Sequence, residues 1–192
     1  MDGVVNMLGD LIISTGIPEE CVFRKTRVEL PGFFRPTKEW DLVVVRDGRL
    51  LAAVEAKSQA GPSFGNNFNN RAEEAIGSAQ DLWTAYREGA FPDSPQPFLG
   101  YFLMLEECPA STRSVSVREP HFPVFPEFVG ASYKQRYELL CRKLVLERHY
   151  TAAALVTSNS EGGRDGEYTT PAKDLSVERF ARVLVGHLAM AK

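Results

Sequence analysis

Apolar positions recur at helical spacing over residues 4–13, where Val4, Val5, Leu8, Leu11 and Ile12 share one face until Gly16 and Pro18 end the run. A first helix is predicted there. Over residues 21–30 (CVFRKTRVEL), β-branched and aromatic residues alternate with basic ones and Pro31-Gly32 closes the stretch, which predicts an edge strand. Two apolar runs, Asp41 to Val45 and Leu50 to Lys57, flank Arg46-Asp47-Gly48-Arg49, and Asp-Gly between such runs is a strong hairpin signal. The polar stretch 58–70 (SQAGPSFGNNFNN) reads as a loop. A helix follows from near Asn70, its N-cap, with Glu73 and Glu74 in the first turn and Ala75, Ile76, Ala79, Leu82, Trp83 and Tyr86 as the buried stripe.

Residues 98–105 (FLGYFLML) are almost wholly apolar, as a central strand covered on both faces is. A long proline-containing connection spans 109–131, and loops of that length in compact domains are usually functional. Ser132 to His149 reads as a basic amphipathic helix with Tyr133, Tyr137, Leu140 and Leu144 inward, Ala152 to Ser158 as a strand, 160–170 as a Gly-rich loop and Leu175 to Met190 as a last helix. No repeat or linker divides the chain. The expected architecture is one α/β domain over 1–192, with a mixed central β-sheet flanked by helices.

Composition narrows the class. With 44% hydrophobic and 24% charged residues in 192, the chain has enough apolar surface for a core without staples, which excludes disordered and fibrous classes. Cys21, Cys108 and Cys141 show no CxxC spacing, so they predict small core side chains in a reducing cytoplasm rather than a disulfide framework or a zinc ribbon. No apolar run approaches the roughly 20 residues a membrane span needs. The formal charge of −3 counts against nucleic acid unless basic residues are concentrated locally.

Candidate chemistry lies on the hairpin. Glu55 and Lys57 are two apart on a strand and so share a face. Asp41 joins them only if the turn allows it. A two-residue Asp47-Gly48 loop sets Asp41 opposite Val54, on the other face. A three-residue Arg46-Asp47-Gly48 loop with a bulge at Gly48 sets it opposite Ala53 and diagonal to Glu55, and this second register is the expectation. Asp41, Glu55 and the Ala56 carbonyl then supply the hard oxygen ligands that Mg²⁺ prefers, while Lys57 stabilises a phosphate or orients the attacking water. That combination is metal-dependent phosphodiester hydrolysis. Spacing alone also fits a surface strand whose Glu55 and Lys57 face solvent.

Asp41, Glu55 and Lys57 match the PD-(D/E)xK nuclease pattern, with Trp40 where proline often stands. The segments PGFFRPTKEWDLVVV, VEAKSQAGPSFGNNFNNRAEEAIGSAQDLWTAYREGAF and EPHFPVFPEFVGASYKQRYELLCRKLV closely resemble the XhoI-like type II restriction endonucleases. The resemblance implies a restriction-endonuclease-like core and a homodimeric, Mg²⁺-dependent enzyme that cuts both strands of the palindrome CTCGAG to leave 5′-phosphate ends. It carries Asp41, Glu55 and Lys57 into metal and catalytic roles and implies a cognate DNA methyltransferase in the same system. Against the family, Met1-Asp2-Gly3 aligns with an internal point, so an N-terminal extension is expected to be missing. The competing readings are a structure-specific repair or recombination nuclease and a catalytically impaired DNA-binding homologue.

Several residues are candidates for holding DNA. Ser58, Gln59, Ser63, Asn66, Asn67, Asn69, Asn70 and Arg71 follow the catalytic strand directly, and their side chains suit adenine, guanine and phosphate. Arg24, Lys25, Arg27, Arg35 and Lys38, with Phe33 and Phe34, form a basic and aromatic stretch in which Glu29 is the one acid. Arg35 and Lys38 are its candidates for phosphate near the cut. The basic residues of the 132–149 helix are expected on its outer face, Glu29 in an ion pair, and His121 in a structural role beside its prolines.

Overall fold

A computed structural model describes residues 1–190. Its centre is a five-stranded sheet in the order β1 (Val22–Arg24), β4 (Leu42–Arg46), β5 (Arg49–Gln59), β6 (Phe98–Glu106), β7 (Ala152–Ser158). The first three strands pair antiparallel and the last three parallel, so the sheet is mixed as expected. A separate two-stranded ribbon pairs β2 (Glu29–Pro31) with β3 (Thr37–Glu39). The single strand expected over 21–30 is therefore two, belonging to different sheets. The break falls where Lys25 and Arg27 adopt φ of 67° and 57°, a left-handed backbone that no strand accommodates.

Helices cover both faces of the sheet. α1 (Asp2–Ser14) and α5 (Val177–Met190) bury Leu8, Ile12, Phe180, Leu184 and Leu188 against one face. α2 (Phe64–Arg87) and α4 (Tyr133–Leu146) bury Ala75, Ala79, Leu82, Tyr137, Cys141 and Leu144 against the other. A single turn, α3 (Pro109–Thr112), opens the long 109–131 connection. Ser132 caps α4 by accepting from the Gln135 N–H, while the Gln135 side chain accepts from the Ser132 N–H. Among the described residues no helix is long and apolar enough to cross a membrane.

α2 corrects two expectations. It begins at Phe64, six residues before Asn70, and its N-cap is Ser63. Asn and Gly disfavour a helix locally, but Phe64 stacks on Tyr133 at 5.8 Å and Phe68 meets Tyr137 edge-on at 5.1 Å. Tertiary packing of that apolar pair outweighs the weak propensity. Ile76, expected in the stripe, is 42% exposed, and Asp81 is buried on the inward face.

Candidate active site

The turn joining β4 to β5 differs from the expected one. Arg46 pairs with Arg49, leaving the two-residue loop Asp47-Gly48, whose φ values of 52° and 75° are those of a type I′ turn. By itself that register sends Asp41 to the wrong face. The ladder then shifts between Val44 and Val45: Val45 pairs with Leu50 and Val44 with Ala52, so Leu51 is an extra residue in β5. Burial reports the same bulge, because Leu51 and Ala52 both enter the core under α1 and α5 although neighbours in a regular strand point oppositely. Beyond the bulge Leu42 faces Val54, and Asp41, whose N–H donates to the Val54 carbonyl at 3.1 Å, comes opposite Glu55. The expected three-residue loop is thus incorrect, while the shared face of Asp41 and Glu55 is restored by the bulge.

β4 ends at Leu42, so the β5 groups beyond it have no strand partner on that side. Val54 directs its carbonyl toward β4, and Ala56, two residues on, directs its N–H and carbonyl the same way. The Asp41 side chain fills the gap: its Oδ2 accepts the Ala56 N–H at 2.7 Å. Among the described residues Oδ1 accepts no hydrogen bond. One carboxylate oxygen of Asp41 and the Ala56 carbonyl thus lie at the strand end that carries Glu55.

Glu55 is 3% exposed. Its two oxygens each meet an ammonium, Oε1 with Lys57 Nζ and Oε2 with Lys38 Nζ, both at 2.5 Å. Oε2 is otherwise buried without a hydrogen bond of good geometry. Lys38 reaches the site from β3, where it pairs with buried Leu30, and its ammonium also lies 4.5 Å from the Trp40 ring centroid. Behind Glu55 the neighbouring strand presents Tyr101, in register with it. Burial first, then the neighbouring Cys141 and Glu55, push the Tyr101 hydroxyl well above its ordinary pKa, and Tyr150 and Tyr137 beside it are raised chiefly by burial. The floor of the site is thus made of buried tyrosines, and a buried surround strengthens charged contacts.

The residues fit a divalent cation in kind: two carboxylates and a carbonyl, all hard oxygens, at one strand end. Among the described residues no group of three or more His, Cys, Asp and Glu side chains gathers as a metal cluster, so solvent and substrate oxygens would complete the shell.

The candidate DNA residues separate. Ser58 is exposed at the end of β5, but Gln59 is 3% exposed and its amide donates to the Ala60 carbonyl at 2.6 Å. Asn66, Asn69 and Asn70 are exposed on the first turns of α2, Asn67 half-buried. Ser63 and Asn66 line a cleft of 290 Å³ with Arg113 and Tyr133. Arg71 is bound to Glu74 at 2.5 Å. The 24–38 basic stretch is largely neutralised: Arg24 pairs with Asp10, Lys25 with Asp2, Arg35 with Asp81 and Lys38 with Glu55, while Arg27 lies over the Phe23 ring. Sequence reading missed Asp81, whose buried carboxylate holds the tip of the β2–β3 ribbon; nothing in a helix-period stripe marks such a residue.

With this geometry in place, comparison with known proteins decides the family. The profile described as "Restriction endonuclease XhoI" matches residues 1–170. The chain belongs to that family. Type II restriction enzyme BstVI of Geobacillus stearothermophilus is 53% identical over 194 aligned positions, 98% of this chain and 87% of its own length. Type II restriction enzyme XhoI of Xanthomonas vasicola is 54% identical over 149 positions, 77% of this chain and 60% of the relative, and AbrI of Azospirillum brasilense is 54% identical over 123, covering 64% and 55%. No solved structure matches. The XhoI family is thus one of site-specific deoxyribonucleases, and the mixed sheet flanked by helices is consistent with a restriction-endonuclease-like core.

Proposed function

We propose that this chain is a Mg²⁺-dependent PD-(D/E)xK type II restriction endonuclease of the cytoplasm. It acts as a homodimer on double-stranded DNA at CTCGAG, leaves 5′-phosphate ends and works beside a cognate DNA methyltransferase. The observation that carries the catalytic part is the convergence of Asp41, Glu55 and Lys57 at the end of β4, with Asp41 fixed by the Ala56 N–H. A two-fold dimer places one such site on each strand of a palindrome.

Asp41, Glu55 and the Ala56 carbonyl would hold the divalent ion, which when bound supplies Lewis-acid polarisation of the phosphate and a more acidic water. Lys57, 27% exposed at its side chain, is the residue open to solvent and orients the attacking water in line with the departing 3′ oxygen. Ser58 and the exposed asparagines of α2 continue from the same strand end toward the duplex, with Ser63, Asn67 and Arg71 beside them. Buried Gln59 acts on DNA only through the backbone it holds, and Arg35 only through the ribbon.

The test compares the chain with its Lys57→Ala and Glu55→Gln variants on a defined plasmid in Mg²⁺. Discrete fragments from the unaltered protein and none from the variants support the reading. Undiminished site-specific cleavage by Lys57→Ala refutes the catalytic assignment, and nicking at junctions or ends favours a repair nuclease.

A further inference from the structure

We propose that Lys38 is a second catalytic ammonium, stabilising the departing 3′ oxygen of the scissile phosphate, so that each chain needs one divalent ion rather than two. The inference rests on the nuclease reading above and goes beyond the Asp41, Glu55 and Lys57 set.

Lys38 is not an opportunistic surface partner. Its side chain is 12% exposed, against 27% for Lys57, and its ammonium sits on Glu55 Oε2 while Lys57 sits on Oε1. Three further features fix it there: the β2–β3 pairing opposite Leu30, the Trp40 ring 4.5 Å away, and the Glu39 carbonyl that accepts from Nζ at 2.8 Å. Holding a lysine this far from water costs desolvation and side-chain entropy, and a structural pair of that kind gains little net stability. A fixed ammonium on the far side of the catalytic carboxylate has use as a catalytic charge.

Charge and donor count point the same way. Asp41 and Glu55 are balanced by Lys38 and Lys57, so the four side chains sum to zero before any metal or phosphate arrives. In two-metal phosphoryl-transfer sites the pair of ions clamps the attacking and leaving oxygens on opposite sides of the phosphorus. Here Lys57 and Lys38 hold separate oxygens of Glu55, and no third carboxylate joins Asp41 and Glu55 among the described residues. With Lys57 at the attacking water, Lys38 on the other Glu55 oxygen is the ammonium left for the departing one. In the step, the water oxygen bonds to phosphorus and its proton passes to solvent. The bond from phosphorus to the 3′ oxygen breaks with its electron pair on that oxygen, which takes a proton from solvent water. Lys38 stays protonated throughout.

The experiment uses the full chain and its Lys38→Met and Lys38→Arg variants on two duplexes of the cleaved sequence, one natural and one with sulfur replacing the 3′ bridging oxygen at the cut. Sulfur departs as a thiolate without needing a cation. Lys38→Met is expected to lose about 100- to 1000-fold on the natural duplex, as removal of one electrostatic stabiliser does. On the sulfur duplex it should stay within about tenfold of the unaltered protein, and Lys38→Arg should lie between the two on the natural duplex. Calorimetric titration of the DNA complex with Ca²⁺ should give one ion per chain. Equal losses on both duplexes, no loss on the natural one, or two ions per chain would overturn the proposal. If the unaltered protein cuts neither duplex, the nuclease reading itself fails.

Discussion

Asp41 accepts the backbone N–H of Ala56 at 2.7 Å, across a gap that exists because β4 begins only at Leu42 while β5 runs on past it. This bond ties the carboxylate proposed as a metal ligand to the strand carrying Glu55 and Lys57, and it depends on the bulge at Leu51. Asn at position 41 keeps an oxygen acceptor for Ala56 but replaces the other carboxylate oxygen with an amide nitrogen and removes the charge. The Asp41→Asn variant should therefore fold with a melting temperature within a few degrees of the parent and lose about 10³-fold or more in cleavage. A calorimetric scan and a plasmid assay on the same preparation check both halves.

Asp81 mounts the tip of the β2–β3 ribbon. Its Oδ1 accepts the N–H groups of Phe33 and Phe34 and its Oδ2 the Arg35 guanidinium, each at 2.7 Å. Gly32 is required there, since a Cβ at that position falls 2.2 Å from Oδ2. The mount holds Phe33 and Phe34 at 54% and 71% exposure, edge to face. Asp81→Ala leaves two backbone donors and an arginine without their acceptor and should cost about 1–3 kcal/mol, read as a lower urea midpoint. Gly32→Ala should cost a similar amount.

Acid should destabilise the fold in a definite window. Burial by itself raises the Asp81 pKa, but the bonds from Phe34 N–H, Arg35 and Phe33 N–H outweigh it and hold the carboxyl below its ordinary value. Thr157 and Lys134 lower Glu107, and Arg142 lowers Asp174. A carboxylate whose folded pKa is depressed contributes stability that is present above its ordinary value, about 4, and lost as pH falls through the folded value. Melting temperature should be flat from near neutrality to about pH 5 and drop below pH 4. Asp81→Asn should flatten that drop.

The thiols should separate by reactivity. Cys141 is fully buried between α4 and the sheet, and burial, with Glu138 nearby, pushes its pKa up to about 12. Cys21 and Cys108 are partly exposed. A thiol reagent should modify at most two cysteines in the folded protein, and Cys141 only after denaturant is added.

Sequence alone made the strands near the site legible where their chemistry was unambiguous. The apolar run at 98–105, the strand Ala152 to Ser158 and the helix that follows Ser132 all stand where their patterns put them. The bulge did not announce itself, because Leu50-Leu51-Ala52-Ala53-Val54 is apolar throughout and no alternation marks which residue is extra. Its detection needed both faces of the sheet to be buried and distinct. The start of α2 was hidden for a different reason: Gly65 and the asparagines carry loop propensity, and only the distant Tyr133 and Tyr137 explain why they are helical. Lys38 was recognisable as basic and near the hairpin, but not as a partner of Glu55, since β2 was not separable from the strand before it and nothing marked 37–39 as a strand.

The most direct measurement is digestion of a sequenced plasmid by the purified chain in Mg²⁺, with the ends mapped and a parallel sample in EDTA. Cuts at CTCGAG alone, with 5′-phosphate ends and no cutting in EDTA, are the predicted result. Intact plasmid in Mg²⁺, or cleavage without regard to sequence, contradicts it.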